Sequence, residues 1–234
     1  MKQVTHIFNR EFRVYFVSPI AYIVISVFLL VTGWFFFTTF FIYNQASLRN
    51  FFAMLPVIFS FVIPAVTMRL FSEELSVGSY EILLTMPVTT LDVVLGKFLA
   101  GVVFVAVMLI PTLSYPVTVS FLGQLDWGPV AAGYIGAILL GGAFAAVGLF
   151  ASSLTRNQIT AFIIGVAICF SLTLLDRMLL FLPRSFLGVM GYLGADFHFQ
   201  NISKGIIDSR DILYFLSVTF VGLYGTTLAM QEKN

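Results

Sequence analysis

Long apolar runs separated by short polar breaks dominate this chain. About 20 consecutive apolar residues are needed for a helix to cross the hydrocarbon core of a bilayer. Six stretches meet that length: 20–43, about 51–71, about 98–122, 129–154, about 158–182 and 212–230. They are too long for barrel strands, and only helices or closed barrels satisfy their backbones in lipid. The pattern therefore predicts an all-α polytopic membrane protein with one domain over 1–234. Prolines interrupt the second span (Pro56, Pro64) and the third (Pro111, Pro116). The fourth carries Gly133, Gly136, Gly141, Gly142, Ala145, Ala146 and Gly148. Small residues of this kind let helix backbones approach closely, so helix packing is expected there ahead of a substrate path.

Three segments break the apolar pattern. Residues 2–17 place Val4, Ile7, Phe8, Phe12, Tyr15 and Phe16 on one helical face, with Lys2, His6, Asn9, Arg10 and Arg13 clustered on the other. An amphipathic helix lying in the membrane interface is expected, its cations near anionic headgroups. It serves either as a simple anchor or as an elbow that also touches a partner. Residues 72–97 hold Glu73, Glu74, Glu81 and Asp92, four of the chain's eleven acids. Within them, Ser79 is placed to cap a short helix, Glu81 suits its first turn and Pro87 stops it. Tyr80, Leu83, Leu84 and Pro87 then share an apolar surface, which either rests on the membrane or docks into a groove on a soluble partner. Residues 183–211 are too broken by Pro183, Gly188, Gly191 and Gly194 to form a seventh span, so short helices on the outer face are expected.

Composition narrows the class further. The 234 residues are 59% hydrophobic and 10% charged, with a mean hydropathy of +1.01. Soluble domains are about 25% charged. The net charge of +1 suggests no nucleic-acid partner. Lys2, Arg10 and Arg13 precede an apolar run too long for a signal-peptide core, so the first span is expected to stay in the membrane. Six crossings put both termini on one side. With the termini inside, that side holds Lys2, Arg10, Arg13, Arg69, Lys97, Arg156 and Lys233, against Arg49, Arg177, Arg184, Lys204 and Arg210 outside. The positive-inside rule then places both termini in the cytoplasm.

Catalytic and metal-binding patterns are missing. Gly96-Lys97-Phe98 lacks the glycine spacing and hydroxyl residue of a P-loop. One cysteine, Cys169, and two distant histidines, His6 and His198, make no zinc spacing. Cys169 is expected as a small buried apolar residue, and His198 as an interfacial loop residue. Asn201-Ile202-Ser203 fits a glycosylation acceptor, a pattern common by chance. Spans one, three, four and six carry no acid or base in their apolar interiors, which argues against a proton-driven transporter, although sodium sites built from backbone carbonyls stay open. Energy for any uphill transport would enter from outside the membrane, with the 72–97 segment as the entry point.

The run "SEELSVGSYEILLTMPVTTLDVVLGKFLAG" resembles the cytoplasmic loop of ABC-2 type permeases. An acidic pair (Glu73, Glu74) is followed by Gly78, Ser79, Tyr80 and Glu81, then Leu83, Leu84, Pro87 and a Gly96-Lys97 leading into the next helix. Basic residues common after the acidic pair are replaced by Leu75, Ser76 and Val77. A second match, "FHFQNISKGIIDSRDILYFLSVT", is similar to the segment before the last helix in the branch of the gliding-motility-associated and nitrous-oxide-reductase-maturation permease subunits. His198, Phe199, Gly205, Asp208, Asp211 and Tyr214 carry it.

The resemblance implies a type V exporter-like permease half in a bacterial inner (plasma) membrane, without catalytic residues and without a bound cofactor or metal of its own. ATP and magnesium would sit in a cytoplasmic ATPase dimer. A second permease half, a larger chain with an extracytoplasmic domain or another copy, would complete the assembly. Residues 79–87 would be the coupling helix, with Glu73, Glu74 and Gly78 before it. Phe8, Arg10, Phe12 and Arg13 would belong to the interface helix. Ser153, Arg156 and Asn157 would form a second coupling point. Phe36, Phe40, Pro56 and Pro64 are candidates for an apolar substrate path, lipid contact being the other reading for the aromatics. The rival function is a membrane scaffold that docks a soluble ATPase complex and transports nothing.

Overall fold

The computed structural model describes residues 2–43, 47–79, 88–178, 192–206 and 208–233. The elements are α1 (Lys2–Val17), α2 (Pro19–Tyr43), α3 (Arg49–Thr67), α4 (Arg69–Val77), α5 (Thr90–Leu109), a 3₁₀ turn (Ile110–Leu113), α6 (Ser114–Leu122), α7 (Trp127–Leu154), α8 (Gln158–Met178), α9 (Ala195–Ser203) and α10 (Ser209–Gln231). No strand occurs among the described residues. Six helical stretches are long and apolar enough to cross a membrane: Pro19–Ile42, Arg49–Val77, Thr90–Leu122, Trp127–Leu154, Gln158–Leu175 and Ser209–Gln231. The fold is an all-α polytopic bundle.

Helix α7 forms its axis, packing against α3, α5, α8, α9 and α10. Glycine makes this possible. A Cβ on Gly141 would lie 2.6 Å from Val105 of α5, and one on Gly133 would lie 2.5 Å from the Phe52 ring of α3. Gly148 admits Thr67 in the same way. On the facing helix, a Cβ at Gly222 of α10 would come within 2.9 Å of the Ala146 backbone. In lipid there is no hydrophobic drive between helices, so close packing of this kind holds the bundle together. The small-residue stripe of the fourth span is thus a packing surface. Helix α2 is peripheral, with Leu30, Trp34 and Phe41 more than two-thirds exposed. Cys169 is fully buried in α8.

The helix boundaries around the polar segment differ from the expected loop at 72–97. The second span runs on as α4 to Val77, where Gly78 takes a left-handed conformation (φ 74°) and ends the helix. The third span begins at Thr90 because Thr89 and Asp92 form a capping box: the Thr89 hydroxyl accepts from Asp92 N at 3.2 Å and the Asp92 carboxylate accepts from Thr89 N at 3.3 Å. Helix therefore reaches Val77 on one side and resumes at Thr90 on the other, and Gly96 and Lys97 sit inside a helix. In the third span, Pro111 falls in the 3₁₀ turn, whereas Pro116 is accommodated in the first turn of α6. Of the 183–211 segment, α9 is described. It wedges between α7, α8 and α3 at the end of the bundle remote from the termini.

Candidate interface at the terminal face

One end of the bundle gathers both chain ends, the start of α5, the end of α7 and helix α4. Lys233 near the C-terminus donates to the Ser153 carbonyl at the end of α7 (2.6 Å). Burial and the neighbouring Arg156 hold the Lys233 ammonium below its ordinary pKa. Asn157 Oδ1 accepts from Ile159 N at 2.9 Å and so caps the start of α8. The link at Ser153–Asn157 is thereby fixed on the same face as α1 and α4.

Helix α1 crosses this face and packs on α5. Gly96 is the contact point, since a Cβ there would lie 2.7 Å from Ile7. The next residue, Lys97, is 1% exposed and spends its ammonium on three acceptors: Leu70 O (2.7 Å), Glu74 Oε1 (2.9 Å) and Glu11 Oε1 (3.1 Å). Arg10 joins both carboxylates, at 2.7 Å to Glu11 and 2.8 Å to Glu74. Burial works to raise the pKa of Glu11, but Lys97 and Arg10 outweigh it and hold the carboxyl below the ordinary value. The Gly-Lys pair thus has a plain physical meaning: glycine lets α1 close on α5, and lysine ties α1, α4 and α5 together.

A second tie joins α4 to α7. The chain breaks regular helix between α3 and α4 at Met68, and Ser152 of α7 fills the break. Its hydroxyl accepts from Phe71 N and Ser72 N (3.0 Å each) and donates to Met68 O (2.7 Å). The two bonds from Phe71 N and Ser72 N are buried away from water, where an unmade bond costs about 1–3 kcal/mol. Arg69 stacks over the Tyr15 ring of α1 at 5.3 Å.

The sequence-derived candidates distribute as follows. Glu74, Arg10 and Gly78 fall in or beside the network, Glu73 is exposed on α4, and Ser79 Oγ donates to Glu74 O at 3.5 Å. Tyr80, Glu81, Leu83, Leu84 and Pro87 lie outside the described residues. Phe8 and Phe12 stack at 5.7 Å on the half-buried flank of α1, and Arg13 is exposed. The buried stripe of α1 is instead Ile7, Glu11 and Tyr15. Glu11 was missed as a site residue. Its signal was available: it is a carboxylate at the i+4 position between Ile7 and Tyr15, on the apolar face.

The substrate-path candidates lie on two helices, α2 and α3. Phe36 stacks on Tyr115 at 4.9 Å and on Phe40 at 5.9 Å, in an aromatic cluster with Phe51 toward the remote end. Pro56 and Pro64 are buried on α3, where Pro64 packs against Gly165 of α8. Phe51 and Pro64 are 13 residues apart, about 20 Å along a helix.

At that remote end the second motif assembles. His198 of α9 is 2% exposed, not the interfacial loop residue expected. Its Nδ1 lies 2.6 Å from Asp211 Oδ1, and its Nε2 donates to Tyr192 O at 3.0 Å. The ring stacks on Tyr214 at 4.2 Å, whose hydroxyl donates to Leu193 O (2.7 Å). Asp208 caps α10 by accepting from Arg210 N, Phe199 is fully buried, and Gly205 takes φ 87° beside Pro129. These contacts clamp the 192–194 turn and α9 onto the start of α10.

A six-span helical bundle whose polar groups concentrate at its ends defines a multi-pass membrane protein. A family model described as "ABC-2 family transporter protein" matches residues 35–219. The chain belongs to this family. No curated protein matches it.

Proposed function

We propose that the chain is the non-catalytic permease subunit of an ATP-driven exporter. It would couple ATP hydrolysis in a cytoplasmic ATPase dimer to movement of a substrate across a plasma membrane. The family membership supplies the membrane half of this reading. The observation that carries the rest is that α1, α4, the start of α5 and the 153–157 link form one bonded unit on one face, through Lys97 and Ser152. Residues 73–79, which lead into the first proposed contact point, and the second at 153–157 adjoin that unit. A push at either is delivered to α3, α5 and α7 together, which suits rigid-body rocking between two permease halves. In this reading the face is cytoplasmic, and the second half is a larger chain or another copy. The clustering of His198, Asp211 and Tyr214 supports assignment to the gliding-motility type.

The test is co-purification with the associated ATPase and ATP-dependent transport in liposomes. Glu81→Lys combined with Leu84→Asp should release the ATPase and abolish coupled transport. Retention of both activities by that variant refutes the coupling role. Substrate-stimulated hydrolysis is expected of an exporter, and its absence would leave the scaffold reading in place.

A further inference from the structure

The terminal face carries a cavity of about 340 Å³ between α1 and α4. Its charged lining is balanced: Arg10, Arg69 and Lys97 against Glu11, Glu73 and Glu74. One donor and one acceptor on these lining residues have no hydrogen-bond partner, Arg69 Nη2 and Glu74 Oε2. The cavity runs on, through Arg10 and Val14, into a groove along α1 that includes Arg13 and Val17. Val14, Val17 and Val77 leave apolar surface exposed at its margin (49%, 75% and 77%). Arg69 follows directly on the apolar stretch of the second span, so the cavity lies at the depth where lipid headgroups sit.

We propose that this cavity binds the headgroup of a zwitterionic aminophospholipid, a phosphoethanolamine, with its acyl chains along Val14 and Val17. Arg69 meets the phosphate and Glu73 with Glu74 meets the ammonium. The basic face of α1 suggests an anionic lipid when read alone. In the folded chain, however, Arg10 is committed to Glu11 and Glu74, and the cavity as a whole is neutral. A net-neutral headgroup carrying both charges matches that lining. An anionic glycerol headgroup offers the carboxylates no cation, and a choline headgroup offers them no N–H to donate. The inference needs only the membrane location, and stands apart from the ATP-driven reading.

The experiment is native mass spectrometry of the full chain in mild detergent, equilibrated with an equimolar mixture of phosphatidylethanolamine, phosphatidylcholine and phosphatidylglycerol of identical acyl chains. Phosphatidylethanolamine should be retained at least fivefold over each of the others. Arg69→Gln should remove that preference. Glu73→Gln, at an exposed position without a role in packing, should reduce it while the melting temperature stays unchanged. Free O-phosphoethanolamine should compete only at concentrations well above those of the lipid. Equal retention of the three lipids, a preference for phosphatidylglycerol, or full preference in Glu73→Gln overturns the proposal. Competition by O-phosphoethanolamine as effective as the lipid itself overturns the lipid as occupant.

Discussion

Replacing Lys97 by Met tests the central tie of the terminal face. The side chain keeps its length and apolar stem but loses the ammonium. Glu11 and Glu74 then face each other across a buried space, with Arg10 as their shared cation, and Leu70 O loses its donor. At an effective dielectric of about 20, one ion pair at 3 Å is a gross attraction of about 5 kcal/mol, most of which offsets desolvation. The measurable loss comes from leaving the carboxylates buried without their partner, about 3–5 kcal/mol. For a chain of this size each kcal/mol moves a melting midpoint by about 2–4 °C, so a fall on the order of 10 °C is expected. The assay is thermal unfolding of the detergent-solubilised full chain, followed by tryptophan fluorescence or size-exclusion retention. Glu11→Gln in the Lys97→Met background should restore part of the loss, because it removes one of the two stranded charges. A double-mutant cycle through the same pair should therefore be non-additive. A midpoint lowered by less than about 2 °C, or strictly additive single effects, would show that the buried network does not hold the three helices together.

Glu11 also sets a pH dependence. Its carboxyl titrates below the ordinary value of 4.5 in the folded chain, so its contribution is fully present above that value and fades as pH falls through the lowered pKa. Thermal midpoints recorded between pH 7 and pH 3 should drop more steeply for the parent than for Glu11→Gln, whose curve flattens in the acid range. Ser152→Ala removes the acceptor of two buried N–H groups and should cost about 2–4 kcal/mol, read as a lower melting midpoint and faster proteolysis after Arg69. At the remote end, Asp211→Asn replaces the buried carboxyl that faces His198 Nδ1 and should cost about 3 kcal/mol. Tyr214→Phe, which loses a single bond to Leu193 O, should cost about 1 kcal/mol. Equal losses from these two would show that the His198–Asp211 contact is worth no more than one ordinary hydrogen bond.

Much of this protein is determined by composition and periodicity. Roughly 20 apolar residues must be helical in lipid because nothing else satisfies their backbone groups, so the six spans and their order follow from the chain itself. The same holds for α1, whose two faces are written in its spacing, and for the small-residue stripe that became the axis of the bundle. Helix ends were less legible. Capping by Thr89 and Asp92 and termination at Gly78 extend helix into a stretch whose polarity resembles a loop, since a capped helix end tolerates charge that its interior in lipid does not. What only the tertiary structure decided is which polar residues meet. Glu11 and Lys97 are 86 positions apart and His198 and Asp211 belong to different helices; no periodicity relates them. Each pair forms because glycines at 96 and along α7 let the helices approach until buried charges must find partners, and that approach is a property of the packed bundle and not of any one segment.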